Sequence, residues 1–134
     1  MTSQHSRPNR SARTAVFRHE DDYWTIAYDA AMVRLRDAKG LRYLEPLLRH
    51  PRRRFHVTEL IRMVARPDGG GRPAAGDGSA DAVERARKAV TNRIRETVLR
   101  IAGVHQALGF HLRNAVHTGT HCTYTPERPT RWVE

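Results

Sequence analysis

The chain has 134 residues, enough for one domain with one modest core, and its polar ends shrink the part that can fold. Lys+Arg number 24 against 14 Asp+Glu, a formal charge of +10, which favours a polyanionic partner with nucleic acid first among them. Cys122 is the only cysteine, so no internal disulfide can form, and a reducing compartment suits the chain. Residues 1–15 contain no apolar run resembling a signal peptide, and no later stretch could span a bilayer, so a cytoplasmic setting without a membrane partner is expected. Charge alone is weak evidence of function. Almost every cation is arginine, with Lys39 and Lys88 the only lysines, a bias that a GC-rich genome also produces.

Residues 1–14 are rich in Ser, Arg and Pro and nearly lack hydrophobes, so they read as a flexible basic arm. The domain is expected over 15–125. It opens with three short strands, Ala15 to Arg18, Tyr23 to Tyr28 and Met32 to Arg36, separated by Asp-containing turns, a small antiparallel sheet. From Ala38 the period changes, and Leu41, Leu44, Leu47 and Leu48 line one face of a helix ending near His50, with Asp37 as a plausible N-cap. Pro46 removes a backbone donor inside that pattern and predicts a kink or an early end. Leu60, Ile61 and Val64 mark a shorter helix from Val57. Residues 65–80 then collect Gly, Pro, Asp and Ser in a loop of unusual length, the kind that is either functional or disordered.

Asp81 opens the longest helix, with Glu84 three residues later as in a capping box. Val83, Ala86, Val90, Ile94, Thr97, Val98 and Ile101 share one stripe, and Arg85, Lys88, Asn92 and Arg95 fall on the opposite side. Gly103 can end this helix near Ile101. A short turn from His105 to Phe110 is expected next, then two strands, Leu112 to Val116 and Thr120 to Tyr124, joined as a hairpin about Thr118 and Gly119. Residues 126–134 read as an irregular tail from which Trp132 and Val133 can pack back on the sheet.

The order is α+β: sheet, helix, helix, long basic-faced helix, hairpin. From Leu35 to about Tyr124 the residues resemble the winged-helix output domain of response regulators of the OmpR and PhoB type. The resemblance is carried by Leu41, Leu44, Leu47, Leu48, Arg49, His50, Pro51, Phe55, His56 and Leu60, by Ala89, Val90, Thr91, Asn92, Arg93, Ile94 and Arg95, and by the hairpin. The stretches 23–44 and 89–124 are also similar to the C-terminal region of large actinobacterial ATPase-type regulators. The resemblance implies a winged helix-turn-helix with a small N-terminal antiparallel sheet, three helices and a C-terminal β-hairpin wing, binding double-stranded DNA as a transcriptional regulator.

A helix of about 10–12 Å diameter fits the major groove, and arginine and asparagine can each bond a base edge in pairs. Arg85, Lys88, Thr91, Asn92 and Arg95 are then the groove contacts, with Asn92 and Arg95 best suited to reading bases. Arg52, Arg53 and Arg54 are expected near the duplex backbone, and His117, Thr118, Thr120 or His121 at the wing tip. The 65–80 loop can meet RNA polymerase or another regulator, and a homodimer fits such a domain. The chain departs from the family pattern at His56, where a Ser or Thr N-cap is usual, in its longer 65–80 loop and in its longer hairpin turn. With only the basic arm before the sheet, phosphorylation control is not expected.

Other chemistry finds no support in the residues. His117, His121 and Cys122 lie close together but match no structural zinc spacing. The acids Asp21, Asp22, Asp29, Asp37, Asp77, Asp81 and Glu84 stand in turns and at helix starts, which suits capping rather than catalysis. Gly69 to Gly71 lead to Arg72 and Pro73 rather than to a Lys-Ser or Lys-Thr, so there is no nucleotide-binding loop. A non-enzymatic chain with no cofactor and no metal is expected. The alternative reading is a winged-helix protein-interaction module associated with a larger regulator or the transcription machinery.

Overall fold

Alternation of inward and outward side chains governs the start of the chain. The computed structural model describes residues 13–64 and 79–133. In it β1 (Arg13–Glu20), β2 (Tyr23–Tyr28) and β3 (Ala31–Arg36) form an antiparallel meander. Phe17 lies opposite Ile26, Ile26 opposite Val33, and Trp24 opposite Leu35, so a single register places these apolar residues on one face. Ala15, Phe17, Trp24, Ile26 and Leu35 are buried there. The β2–β3 turn is a two-residue hairpin in which Asp29 (φ 52°) and Ala30 (φ 69°) are both left-handed. Aspartate tolerates that region, whereas Ala30 is held in it at a cost of about 1–2 kcal/mol.

Helix α1 (Lys39–Arg49) buries the expected Leu41, Leu44, Leu47 and Leu48, together with Tyr43 and Pro46. It neither ends nor breaks at Pro46. Its N-cap is Ala38 without a side-chain bond, because the Asp37 carboxylate is engaged by Trp24 and Arg42. A two-residue strand β4 (Phe55–His56) leads into α2 (Val57–Val64), which buries Val57 and Leu60. The segment assigned to the Gly- and Pro-rich loop lies outside the described residues from 65 to 78, as does the N-terminal arm up to residue 12.

The last third of the chain departs most from expectation. Helix α3 (Ala80–Val104) begins one residue before Asp81: Ser79, not Asp81, caps it, its hydroxyl accepting the Ala82 N–H at 3.1 Å. Glu84 pairs with Arg87 rather than closing a capping box. The helix also runs through Gly103. Residues expected as a turn and a strand form a fourth helix, α4 (Gln106–Ala115), and only β5 (Val116–His117) remains of the first hairpin strand. The physical reason is a spacing of four and three: Leu108, Leu112 and Ala115 are all buried on one side of α4. β6 (His121–Tyr124) completes the hairpin.

The tail is not irregular. β7 (Thr130–Val133) pairs parallel with β1, and Trp132 is buried. The larger sheet therefore has the order β3-β2-β1-β7, and a smaller one has the order β4-β6-β5. The fold is α+β, with the helices α1, α2, α3 and α4 and residues of both sheets contributing to one continuous core. No helix among the described residues is long and apolar enough to cross a membrane.

Candidate nucleic-acid interface

Helix α3 turns Val90, Ile94, Thr97, Val98 and Ile101 inward, and at 3.6 residues per turn this leaves the opposite side to solvent. Arg85, Lys88, Asn92 and Arg95 are all exposed on that side. None has a hydrogen-bond or salt-bridge partner among the described residues. Thr91, grouped with them by the matching motif, is half-buried, and its Oγ1 is enclosed without a hydrogen-bond partner. It therefore does not share their face. Gly40 of α1 allows close packing here, since a Cβ on it would run into Thr97 and the Arg93 carbonyl.

The three arginines between α1 and β4 are tied to the smaller sheet. Arg52 has a left-handed backbone (φ 71°). Its N–H donates to the Tyr124 carbonyl at 2.8 Å and its guanidinium to the Pro126 carbonyl at 3.3 Å. Arg53 pairs with Glu59 at 2.8 Å and lies 4.3 Å over the Phe55 ring. Arg54 donates to His121 Nδ1 at 3.5 Å. All three remain exposed, so their charges stay available to a long-range partner.

The hairpin tip is fastened to the same region. The Val57 N–H donates to the Thr120 carbonyl at 2.9 Å, and the His56 and His121 rings meet edge to face at 5.1 Å. His117 bonds Thr125 Oγ1 at 3.1 Å, and Thr118 is half-buried while the Thr120 residue is exposed. The structure thus brings the arginine run and the hairpin together. Helix α3 packs on α1, α2 and α4, whereas the hairpin packs on β4, α1 and α4, so α1 and α4 are neighbours of both.

Burial pushes the Cys122 thiol above its usual range, which makes it a poor nucleophile. Among the described residues no three His, Cys, Asp or Glu side chains gather as a metal site.

The exposed face of α4 was missed in the sequence. Gln106, Ala107, Phe110, Arg113 and Asn114 are exposed, and Asn114 bonds the Phe110 carbonyl at 2.9 Å. One signal was available: no acidic residue occurs between Glu96 and Glu127. No family model matches the chain, and no curated protein or solved structure matches it significantly.

Proposed function

We propose that this chain is a sequence-specific, double-stranded DNA-binding transcriptional regulator of winged helix-turn-helix architecture. The observation that carries the reading is the α3 face, where three cations and an amide stand exposed, without salt-bridge partners among the described residues, on the side opposite the core stripe. Cations on an exposed helix face suit phosphates, and Asn92 and Arg95 have the donor geometry to bond base edges. The order α1, β4, α2, α3 and a β5–β6 hairpin, with β4 pairing to β6, is compatible with a wing beside a helical reading unit. The net charge of +10 supports attraction to the duplex from a distance.

Titration of duplex into the protein at several salt concentrations tests this. Affinity should fall steeply as salt rises, by about 0.9 in log–log slope for each phosphate neutralised. Binding that is weak and indifferent to salt would overturn the reading. Within it, Asn92→Ala and Arg95→Ala should relax sequence preference, and Arg53→Ala should weaken all duplexes alike. Thr91→Val, which removes an enclosed hydroxyl, should leave binding unchanged.

A second reading is favoured by a different observation. Leu99, Val104 and Phe110 are exposed around the α3–α4 turn, as a protein-interaction module would require. A protein partner retained after nuclease treatment would support it.

A further inference from the structure

Helices α3 and α4 meet across one residue, His105. Its Nδ1 accepts the Leu108 N–H at 3.3 Å, and its Nε2 donates to the Tyr28 carbonyl at 2.8 Å, so both ring nitrogens are used to pin the turn. Four residues on from that cap, Gly109 crosses Ala102 so closely that an added Cβ would strike the Ala102 backbone. The buried side of α4 is fixed as well: the Tyr124 hydroxyl accepts the Trp132 indole N–H at 3.0 Å and donates to His111 Nε2 at 2.6 Å. Two helices held at a tight turn, the second continuing without a linker into the β5–β6 hairpin, form a rigid helix-turn-helix with its wing attached.

What α4 presents outward is chemically specific. Gln106, Phe110 and Arg113 follow one another at spacings of four and three, which aligns them on one face. Phe110 is 69% exposed, and α4 itself carries no acid, although Asp29 and Glu127 line the cleft beside Phe110 and Asn114 together with Arg128. A guanidinium matches guanine, a side-chain amide matches adenine, and a phenyl ring matches the thymine methyl group. We infer that α4 is a base-reading helix in addition to α3, with Gln106, Phe110 and Arg113 as its specificity residues and the hairpin as its neighbouring contact. This rests on the duplex-DNA reading, and it assigns the target as base edges in the major groove.

The experiment uses the full chain and a duplex selected from a random pool, compared with a scrambled duplex. Gln106→Ala, Phe110→Ala and Arg113→Ala alter exposed side chains, so their thermal midpoints should match the parent. Arg113→Ala and Phe110→Ala should each lower discrimination between the two duplexes roughly tenfold or more, and affinity for the scrambled duplex should change by no more than about twofold for Phe110→Ala and Gln106→Ala. Unchanged discrimination in all three variants, with loss confined to Asn92→Ala and Arg95→Ala, would overturn the role of α4 and leave the DNA reading standing. If the parent chain shows no salt-dependent duplex binding, the DNA reading itself falls. If Phe110→Ala instead abolishes capture of a nuclease-resistant protein partner and leaves duplex discrimination intact, the α4 face belongs to that partner.

Discussion

Asp37 shows how one side chain is claimed by tertiary neighbours before it can serve its own helix. By identity and position it is a good N-cap for α1. Its carboxylate instead accepts the Trp24 indole N–H at 2.8 Å and the Arg42 Nε–H at 3.2 Å, and Arg42 makes a second, closer ion pair with it. The His19 ring stacks on Trp24 with centroids 4.3 Å apart, and its Nε2 lies 3.7 Å from the carboxylate. Burial alone would raise the carboxyl, but the hydrogen bonds from Arg42 and Trp24 and the charges of Arg42 and His19 outweigh it and hold the pKa below the ordinary value. A lowered carboxyl stabilises the fold above its unfolded pKa of about 3.9, and that contribution disappears as pH falls through the folded value. Asp37→Asn should therefore destabilise the protein by about 1–3 kcal/mol at neutral pH and lose less stability than the parent on acidification below about pH 4. Urea unfolding at a series of pH values measures both. Equal acid sensitivity of parent and variant would assign the acid limb to other carboxylates.

At the level of elements, the α3–α4 junction decides the architecture around the candidate interface. Gly109 replaced by alanine would gain up to about 1 kcal/mol of helix propensity. Against this, the new methyl would meet the Ala102 backbone, which cannot swing aside as a long side chain can, and overpacking of this kind costs about 1–3 kcal/mol. The clash should win: Gly109→Ala is expected to lower the urea midpoint, and Gly109→Val to lower it further. A stabilised Gly109→Ala would mean that the two helices separate easily. The same junction explains why α4 was read as a turn and a strand. Its ten residues include Gly109, and its apolar stripe of Leu108, Leu112 and Ala115 is short. A short stripe next to a polar segment does not separate helix from strand by periodicity alone. The capping role of His105 depends on Tyr28, which is distant in sequence.

Across the whole molecule, β7 closes the fold by returning the C-terminal segment to β1. Trp132 joins three elements: its ring lies edge-on to Phe17 at 5.9 Å and stacked with Tyr28 at 5.9 Å, and its indole N–H reaches the Tyr124 hydroxyl. Trp132→Ala should remove about 3–5 kcal/mol of stability, a typical cost for deleting a buried large aromatic. It should also release His111 from its partner's network, so proteolysis within α4 should increase along with the loss in urea resistance. Trp132→Phe, which keeps the ring but not the N–H, should recover most of the stability. If Trp132→Ala changed stability by less than about 1 kcal/mol, β7 would be an ornament on the sheet rather than its closing strand.

Much of this protein could be read from its residues taken in order. The three-stranded meander, α1, α2 and the inner and outer sides of α3 follow from periods of two and 3.6, which are local properties of the backbone. The placement of Arg85, Lys88, Asn92 and Arg95 on one exposed side belongs to the same class of inference. What the residues in order do not contain is competition between distant groups. Asp37 is taken by Trp24 and Arg42 rather than capping α1, Arg53 by Glu59, and the 130–133 segment by the free edge of β1. The setting of α4 depends on the same kind of event: Ala102 lies against Gly109, the Tyr28 carbonyl holds the His105 cap, and the Tyr124 hydroxyl bonds His111. Contacts of that reach are energies of the assembled chain, which no window along the sequence encloses.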